Sequence, residues 1–391
     1  EIDGFLVGEC LHAGGMAHIY AVTHASGRPA AFPMVMKVPR MTTGDGAESI
    51  VSFEVEHQIL PTLQGQHVPR FVASGDLTQL PYLVMEHVAG ISLQQWFDQQ
   101  RTQSSPAIAI DEIVRIGAAL AQAVHHLHQQ NVCHLDLKPA NALLHPQGHV
   151  VLLDFGLSMH AHFPDLLAEQ MRKAVGSPTW IAPEQVVGTR GDPRSDIFAI
   201  GVILYEMLTG ELPFGDPQTA GGMRQRLWMQ PAPPRQHRSD TPAWLQEIIL
   251  RCLQPHAVDR YPSAAHLAFD LRHGSQVKVT PLGERTQGQG AWRTFKAWIR
   301  AAGMQYEPSP LPAKQVIERV PIVMVALPYK DVDETILYSM RVETERALGH
   351  LPGARLAVVC VASSNLTAAG DASGSEVELH RSLLAQLQHW A

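Results

Sequence analysis

The sequence predicts an α+β protein of two unlike lobes, the first strand-rich and the second helical, followed by a small β-α-β segment. Three patterns predict it. From residue 1 to about 100, short alternating or β-branched stretches such as FLVGEC, HIYAVTH, VMKVPR and YLVMEHV are separated by Gly, Pro and Asp, a strand signature. From about 106 to 273, DEIVRIGAALAQAVHHLHQQ, SDIFAIGVILYEMLTG and TPAWLQEIILRCL carry apolar residues at i, i+3 and i+4, the helical period. After about 319, the buried-strand run RVPIVMVALP, the helical DETILYSMRVETERALGHL and the strand-like ARLAVVCVA alternate as in a parallel crossover unit.

Taken in order, SIVSFEVEHQILPTL is the single helical stretch of the first lobe, which runs over 1–88; the second lobe covers 89–273. Residues 274–318 change character, with GERTQGQG and YEPSPLPAK reading as a Gly/Pro-rich linker. Its middle, AWRTFKAWIR, predicts an amphipathic helix with Trp292, Phe295, Trp298 and Ile299 on one face. Only Arg293, Lys296 and Arg300 supply charge there, which favours docking on a neighbouring domain over contact with a membrane. Residues 319–391 form the α/β segment, closed by a second helix in SEVELHRSLLAQLQHW.

With 45% apolar and 17% charged residues, the 391-residue chain reads as globular rather than disordered or fibrous. Its formal charge of −7 is spread out and no dense Lys/Arg run occurs, so neither nucleic acid nor a polybasic membrane patch is expected. No apolar run approaches the roughly 20 residues of a bilayer span, and EIDGFLVGEC has no signal pattern, so a cytoplasmic location is expected. The cysteines Cys10, Cys133, Cys252 and Cys360 form no CxxC pair, and the 21 histidines lack partners at metal-ligand spacing.

Six segments bear chemistry. LHAGGMAHIY places Gly14 and Gly15 between two strand-like runs, where small residues let a backbone approach a ligand closely. Lys37 lies in VMKVPR and Glu56 lies in FEVE on the lone helix. HLDLKPAN, residues 134–141, sets Asp136, Lys138 and Asn141 within six residues of one another. VVLLDFGLS follows with Asp154, and GSPTWIAPE with Ser177, Thr179 and Glu184. In this chain order, residues 1–273 resemble the eukaryotic-type serine/threonine protein kinases common in bacteria.

The resemblance implies a bilobal kinase fold that transfers the γ-phosphoryl group of Mg-ATP to protein Ser/Thr hydroxyls, itself included, with Mn²⁺ as the alternative metal. Gly14, Gly15, Ile19, Val35, Lys37, Met85, Glu86, Val88 and Leu143 would line the ATP site, with Met85 as gatekeeper and Glu56 as the partner of Lys37. Asp136 would receive or orient the hydroxyl proton, Lys138 would neutralise the phosphoryl group, and Asn141 and Asp154 would hold the metal. Lys two residues after the aspartate is the Ser/Thr form. Ser158, Ser177 and Thr179 fall in the activation segment, Glu184 would pair with Arg260, and Asp196 would brace the catalytic loop.

Four positions depart from the family pattern. His12 and Ala17 stand where glycines are usual, Val35 replaces an alanine, and Leu135 replaces the arginine that couples phosphorylation to activity. These departures keep two rivals open: a pseudokinase scaffold that binds ATP without turnover, and a kinase-like phosphotransferase for small molecules. The intact set Lys37, Asp136, Asn141 and Asp154 argues against the first, and GSPTWIAPE against the second.

The segment PIVMVALPYKDVDETILYSMRVETERALGHLPGARLAVVCVA resembles the first strand, helix and second strand of a universal stress protein domain, with Asp331 or Asp333 at the place of an adenine contact. Two parallel strands leave an open edge. More chain beyond this sequence, docking on the kinase lobe, or a homodimer through this segment would cover it.

Overall fold

A computed structural model describes residues 1–15, 17–40, 46–76, 80–102, 108–163, 165–167, 176–217, 219–288, 306–310, 322–328, 334–350 and 355–361. The chain divides into two compact units, Glu1–Leu311 and Pro312–Ala391.

The first lobe is a five-stranded antiparallel sheet of β1 (Phe5–Ala13), β2 (Ala17–His24), β3 (Met34–Pro39), β4 (Phe71–Ser74) and β5 (Leu83–Glu86), in the order β1-β2-β3-β5-β4. The short edge strand β4 was not singled out from the sequence, because FVAS is too brief to show a period. Period-2 alternation sends Phe5, Val22, Met34, Met36, Tyr82 and Val84 into one apolar layer. Pairing β3 with β5 sets Lys37 opposite Leu83. Helix α1 (Gly46–Ile59) carries Glu56, which is 2% exposed.

The second lobe begins with β6 (Ile91–Ser92) and α2 (Leu93–Thr102), then α3 (Ile110–Gln129) and β7 (Val132–Cys133). Strands β8 (Ala142–Leu144), β9 (Val150–Leu152) and β10 (Met159–His160) follow; β6, β8 and β9 form one small sheet and β7 with β10 another. Next come α4 (Pro183–Val186), α5 (Arg194–Thr209), α6 (Ala220–Met223), α7 (Pro234–His237), α8 (Ala243–Cys252), α9 (Ala264–Arg272) and α10 (Pro281–Glu284).

Helix α5 is apolar on all sides because other elements surround it, and its residues from Ile197 to Tyr205 are all buried. Its contact with α3 depends on Gly117, where a Cβ would meet Leu204 Cδ2 at 2.5 Å. Gly210, at φ 75°, ends α5 with its N–H on the Glu206 carbonyl.

The stretch after residue 273, Gly/Pro-rich and expected as a linker, belongs in part to this lobe. Gln246 Nε2 on α8 donates to the carbonyls of Leu282, Gly283 and Arg285. The Glu247 carboxylate accepts from the N–H groups of Thr280 and Gly283. Two side chains of one helix thus satisfy the backbone of a segment with little apolar content. Further on, Tyr306 stacks on His256 at 5.4 Å and donates its hydroxyl to Pro255 O, while Arg194 donates to Pro310 O. AWRTFKAWIR lies outside the described residues.

A buried ion pair ties the lobe's end to its middle. Arg260 donates to both Glu184 oxygens at 2.7 and 2.8 Å, and Ser195 Oγ to one of them at 2.6 Å. Arg260 also lies over the Phe198 ring at 5.0 Å. Burial opposes the Glu184 charge, but Arg260 and Ser195 outweigh it and hold the carboxyl below its usual range.

In the second unit, β11 (Ile322–Pro328) and β12 (Arg355–Val361) pair in parallel from Ile322 opposite Arg355, with α11 (Glu334–His350) between them in sequence. Asp331, Asp333 and the closing helix lie outside the described residues. No helix among the described residues is long and apolar enough to cross a membrane.

Arg260→Met strands a buried carboxylate and is expected to cost roughly 3–5 kcal/mol in urea unfolding. Because the folded Glu184 pKa is depressed, its contribution is full above the unfolded value near 4.5 and drains as pH falls through the folded value. The stability gap between wild type and Glu184→Gln should therefore narrow as pH falls from 5 toward 3; a constant gap would refute this.

Candidate active site

Between the two lobes lies a cleft of ≈ 580 Å³. Every nucleotide-site residue expected from the sequence lines it: Gly14, Gly15, Ile19, Val35 and Lys37 from the first lobe, Met85, Glu86 and Val88 from the connection, and Leu143 from the second lobe. The apolar side chains of Ile19, Val35 and Leu143 give it slot-like walls suited to a flat ring. His12, Ser52, Leu60, Pro69 and Gly90 line it as well. Of these, His12 stood in LHAGGMAHIY, Ser52 and Leu60 in SIVSFEVEHQILPTL, and Gly90 at the end of YLVMEHVAG, whereas Pro69 carries no spacing signal. The Gly14 N–H bonds to Ala17 O and closes the β1–β2 turn.

At the back of the cleft, Lys37 Nζ donates to Glu56 Oε2 at 2.5 Å and to Asp154 Oδ1 at 3.0 Å. Helix α1 is therefore turned inward. Its seating against the DFG turn needs a residue without a Cβ at 156, since one there would run into Ser52 Oγ. Burial would lower the Lys37 pKa, but the Asp154 and Glu56 carboxylates outweigh it and hold the ammonium above its usual range. Burial pushes Glu56 up, and Lys37 restrains the rise. Asp154 is drawn down to about 2, chiefly by Lys37 and against its own burial. It sits at φ 63°, a left-handed conformation that a non-glycine residue adopts only under constraint.

The floor is built from the loop 134–141. Asp196, at the head of α5, accepts the N–H groups of His134 and Leu135 at 2.8 Å each and His128 Nε2 at 2.8 Å. His128 was missed by the motif reading, because its partner lies 68 residues away. Asp136 Oδ2 accepts from Lys138 Nζ at 2.8 Å and Asn141 Nδ2 at 3.2 Å. Its Oδ1 accepts from the Ser177 hydroxyl at 2.7 Å and N–H at 2.9 Å, and Lys138 Nζ also reaches Ser177 Oγ at 3.0 Å.

Three hydroxyls of the activation segment are occupied. Ser158 is 2% exposed and donates to His134 O; Thr179 is 7% exposed and donates to Asp216 Oδ1; Ser177 is held by Asp136.

The donor set fits a small hard cation brought in with a nucleotide. Asn141 commits its amide nitrogen to Asp136, and Asn141 and Asp154 both line the cleft. Among the described residues no group of three His, Cys, Asp or Glu side chains could hold a metal unaided. Phosphate oxygens and waters would complete the oxygen shell of such a cation.

The protein kinase domain profile matches residues 5–269. The chain belongs to the protein kinase family. Serine/threonine-protein kinase PknB of Mycolicibacterium smegmatis is 29% identical over 321 residues, 80% of this chain and 50% of that protein. PknB of Mycobacterium tuberculosis is 29% identical over 273 residues, 69% of this chain and 42% of that protein. A probable serine/threonine-protein kinase of Clostridium perfringens, CPE1738, is 26% identical over 70% of this chain and 38% of that protein. The chain thus spans half or less of these relatives. The kinase domain of Mycobacterium tuberculosis PknI, solved as a double mutant, shares the fold with a TM-score of 0.54 and 24% identity, covering 70% of this chain and 96% of that one.

One kinase-cleft position makes a sharp test. Gly90 has φ 135°, and a Cβ there would collide with the Leu144 carbonyl. Gly90→Ala should cost roughly 1–3 kcal/mol in denaturant unfolding and weaken nucleotide binding measured by calorimetry, because the strain falls on the cleft wall; unchanged values for both would exclude it.

Proposed function

We propose that this protein transfers the γ-phosphoryl group of ATP to serine and threonine hydroxyls of protein substrates, and to itself. The observation that carries the reading is the Asp136–Lys138–Ser177 triangle, whose Lys138 lines the cleft that also holds the Lys37–Glu56–Asp154 cluster. A hydroxyl that replaces Ser177 at Asp136 Oδ1 attacks the γ-phosphorus, the bond to the β,γ-bridging oxygen breaks, ADP leaves, and the proton passes to Asp136. Lys138 draws charge from the transferring group, and Lys37, fixed by Glu56, holds the α- and β-phosphates. Asn141 and Asp154 would hold Mg²⁺, or Mn²⁺ with the same preference for hard oxygen, which neutralises the phosphate charge.

The Glu86 N–H is committed to Arg70 O, so the purine edge would meet the Glu86 carbonyl and the Val88 N–H. Ile19, Val35 and Leu143 sandwich the base, Met85 bounds the slot, and Gly14 and Gly15 cover the phosphates. A domain that consumes ATP belongs where ATP is held, so we place it in the cytoplasm; recovery of the protein only outside the cytoplasmic fraction would contradict this.

Activity here does not depend on phosphorylation of the activation segment. Leu135 is 2% exposed and offers no charge to a phosphate. Arg190 instead ties the segment down, donating to Asp165 Oδ2 and Leu157 O at 2.9 Å each, with both ion-pair side chains largely buried.

We assign residues 1–273 to catalysis. The parallel β11–β12 pair supports a partial universal-stress-protein-like unit at 319–391, for sensing or protein binding and for pairing with a second copy through its sheet edge. Light scattering that finds only monomer at micromolar concentration would remove the dimer.

The decisive assay follows labelled γ-phosphate from Mg-ATP onto the protein and a generic basic substrate. Asp136→Asn should lose roughly 10²–10⁴-fold in transfer while keeping nucleotide affinity. Binding without transfer by wild type would point to a scaffold, and a labelled small molecule without phosphoprotein to the other rival. Phosphatase-treated enzyme should keep its rate within about twofold; loss of activity restored by one phosphosite in the segment would overturn the independence drawn from Leu135 in place of a coupling arginine.

A further inference from the structure

Arg226, in the 3₁₀ turn Arg224–Leu227 after α6, is 0% exposed. A buried charge is normally met by an opposite one. Among the described residues no carboxylate pairs with Arg226. Its guanidinium instead donates to four carbonyls: Ile181 O at 2.5 Å and Thr179 O at 3.3 Å from Nη1, Pro178 O at 2.7 Å from Nη2, and Met223 O at 3.0 Å from Nε. The Phe214 ring lies 5.5 Å from its guanidinium carbon. Without a counter-charge, burial draws its pKa down to about 10, still above neutrality, so the cation persists.

Three of the four carbonyls belong to one turn, residues 178–181. The N–H groups of Trp180 and Ile181 point the other way, both onto Ser177 O. The turn is therefore pinned on its two sides: its N–H groups by Ser177, its carbonyls by a single planar cation. Ser177 is the residue whose hydroxyl sits on Asp136 and Lys138. The guanidinium thus fixes the backbone next to the point where a substrate hydroxyl must arrive.

We propose that Arg226 is a positioning residue for the protein substrate: it shapes the 178–181 turn into the platform that seats the peptide flanking the acceptor hydroxyl. The inference rests on the protein kinase reading and goes beyond it. The role requires arginine rather than any cation, because only a planar fork reaches several carbonyls at once, whereas an ammonium on a flexible stem satisfies them in no fixed geometry. It also predicts which kinetic constant moves. A platform for peptide leaves the nucleotide pocket and the Asp136 chemistry alone.

The test compares wild type, Arg226→Lys and Arg226→Met in the full chain. Peptide KM is expected to rise roughly tenfold in Arg226→Met and less in Arg226→Lys, with kcat and ATP KM within about twofold. Hydrogen exchange at the Trp180 and Ile181 amides should quicken by roughly tenfold in Arg226→Met, with the Lys37 strand unaffected. Unchanged peptide KM and amide exchange in both variants overturns the proposal. So does a parallel fall in kcat, ATP affinity and melting temperature, which marks a merely structural role. If wild type transfers no phosphate, the kinase reading fails, and the exchange measurement still decides whether Arg226 holds the turn.

Discussion

The carboxylate of Asp196 is the constraint on which the active arrangement depends. It is 1% exposed and sits at the head of α5, the most enclosed helix of the second lobe. Two loop N–H groups and one imidazole converge on it. Burial alone would raise its pKa, but those donors outweigh it and keep it ionised. Leu135 is thereby held at φ 61°, an unfavourable conformation for a branched apolar residue. That twist aims the next residue, Asp136, at Ser177 and Lys138. An apolar core could bury the loop; only a directional acceptor could set its turn.

The same device recurs. Glu184 with Arg260, Lys37 between Glu56 and Asp154, Arg190 with Asp165 and Leu157 O, and Arg226 among carbonyls each fix backbone or carboxylate geometry that apolar packing leaves free. Buried ion pairs add little net stability over well-packed apolar groups, but breaking one leaves an uncompensated charge. Their contribution is to specificity of arrangement. The apolar core around α3 and α5 holds the lobe together, and the charges decide where its loops point.

Most of the site was legible in the sequence because its groups lie in short, ordered segments: Asp136, Lys138 and Asn141 share one loop, and Asp154 follows just beyond β9. The lobes were legible from period alone. What stayed hidden has one physical cause. His128, Arg190 and Arg226 act on partners 68, 33 and 45 residues away, two of them on backbone atoms that no side-chain pattern reports. The packing of 280–285 was hidden likewise, since Gln246 and Glu247 recruit carbonyls and N–H groups in a stretch whose composition reads as linker. The expectation that Ser158, Ser177 and Thr179 lie in the activation segment says nothing of access; Ser158 and Thr179 are buried, and the half-buried Ser177 hydroxyl is engaged by Asp136 and Lys138.

The occupancy of Asp136 bears on waste. Both carboxylate oxygens already accept hydrogen bonds, and the one facing Ser177 holds a hydroxyl of the protein's own. Any newcomer must outcompete that internal hydroxyl. A peptide brings binding energy from its flanking residues to do so, whereas a lone water molecule brings none. On the proposed phosphotransfer, the resting site would thus be guarded against futile hydrolysis of ATP by an internal decoy, and the energy stored in the nucleotide would be kept for acceptors that dock.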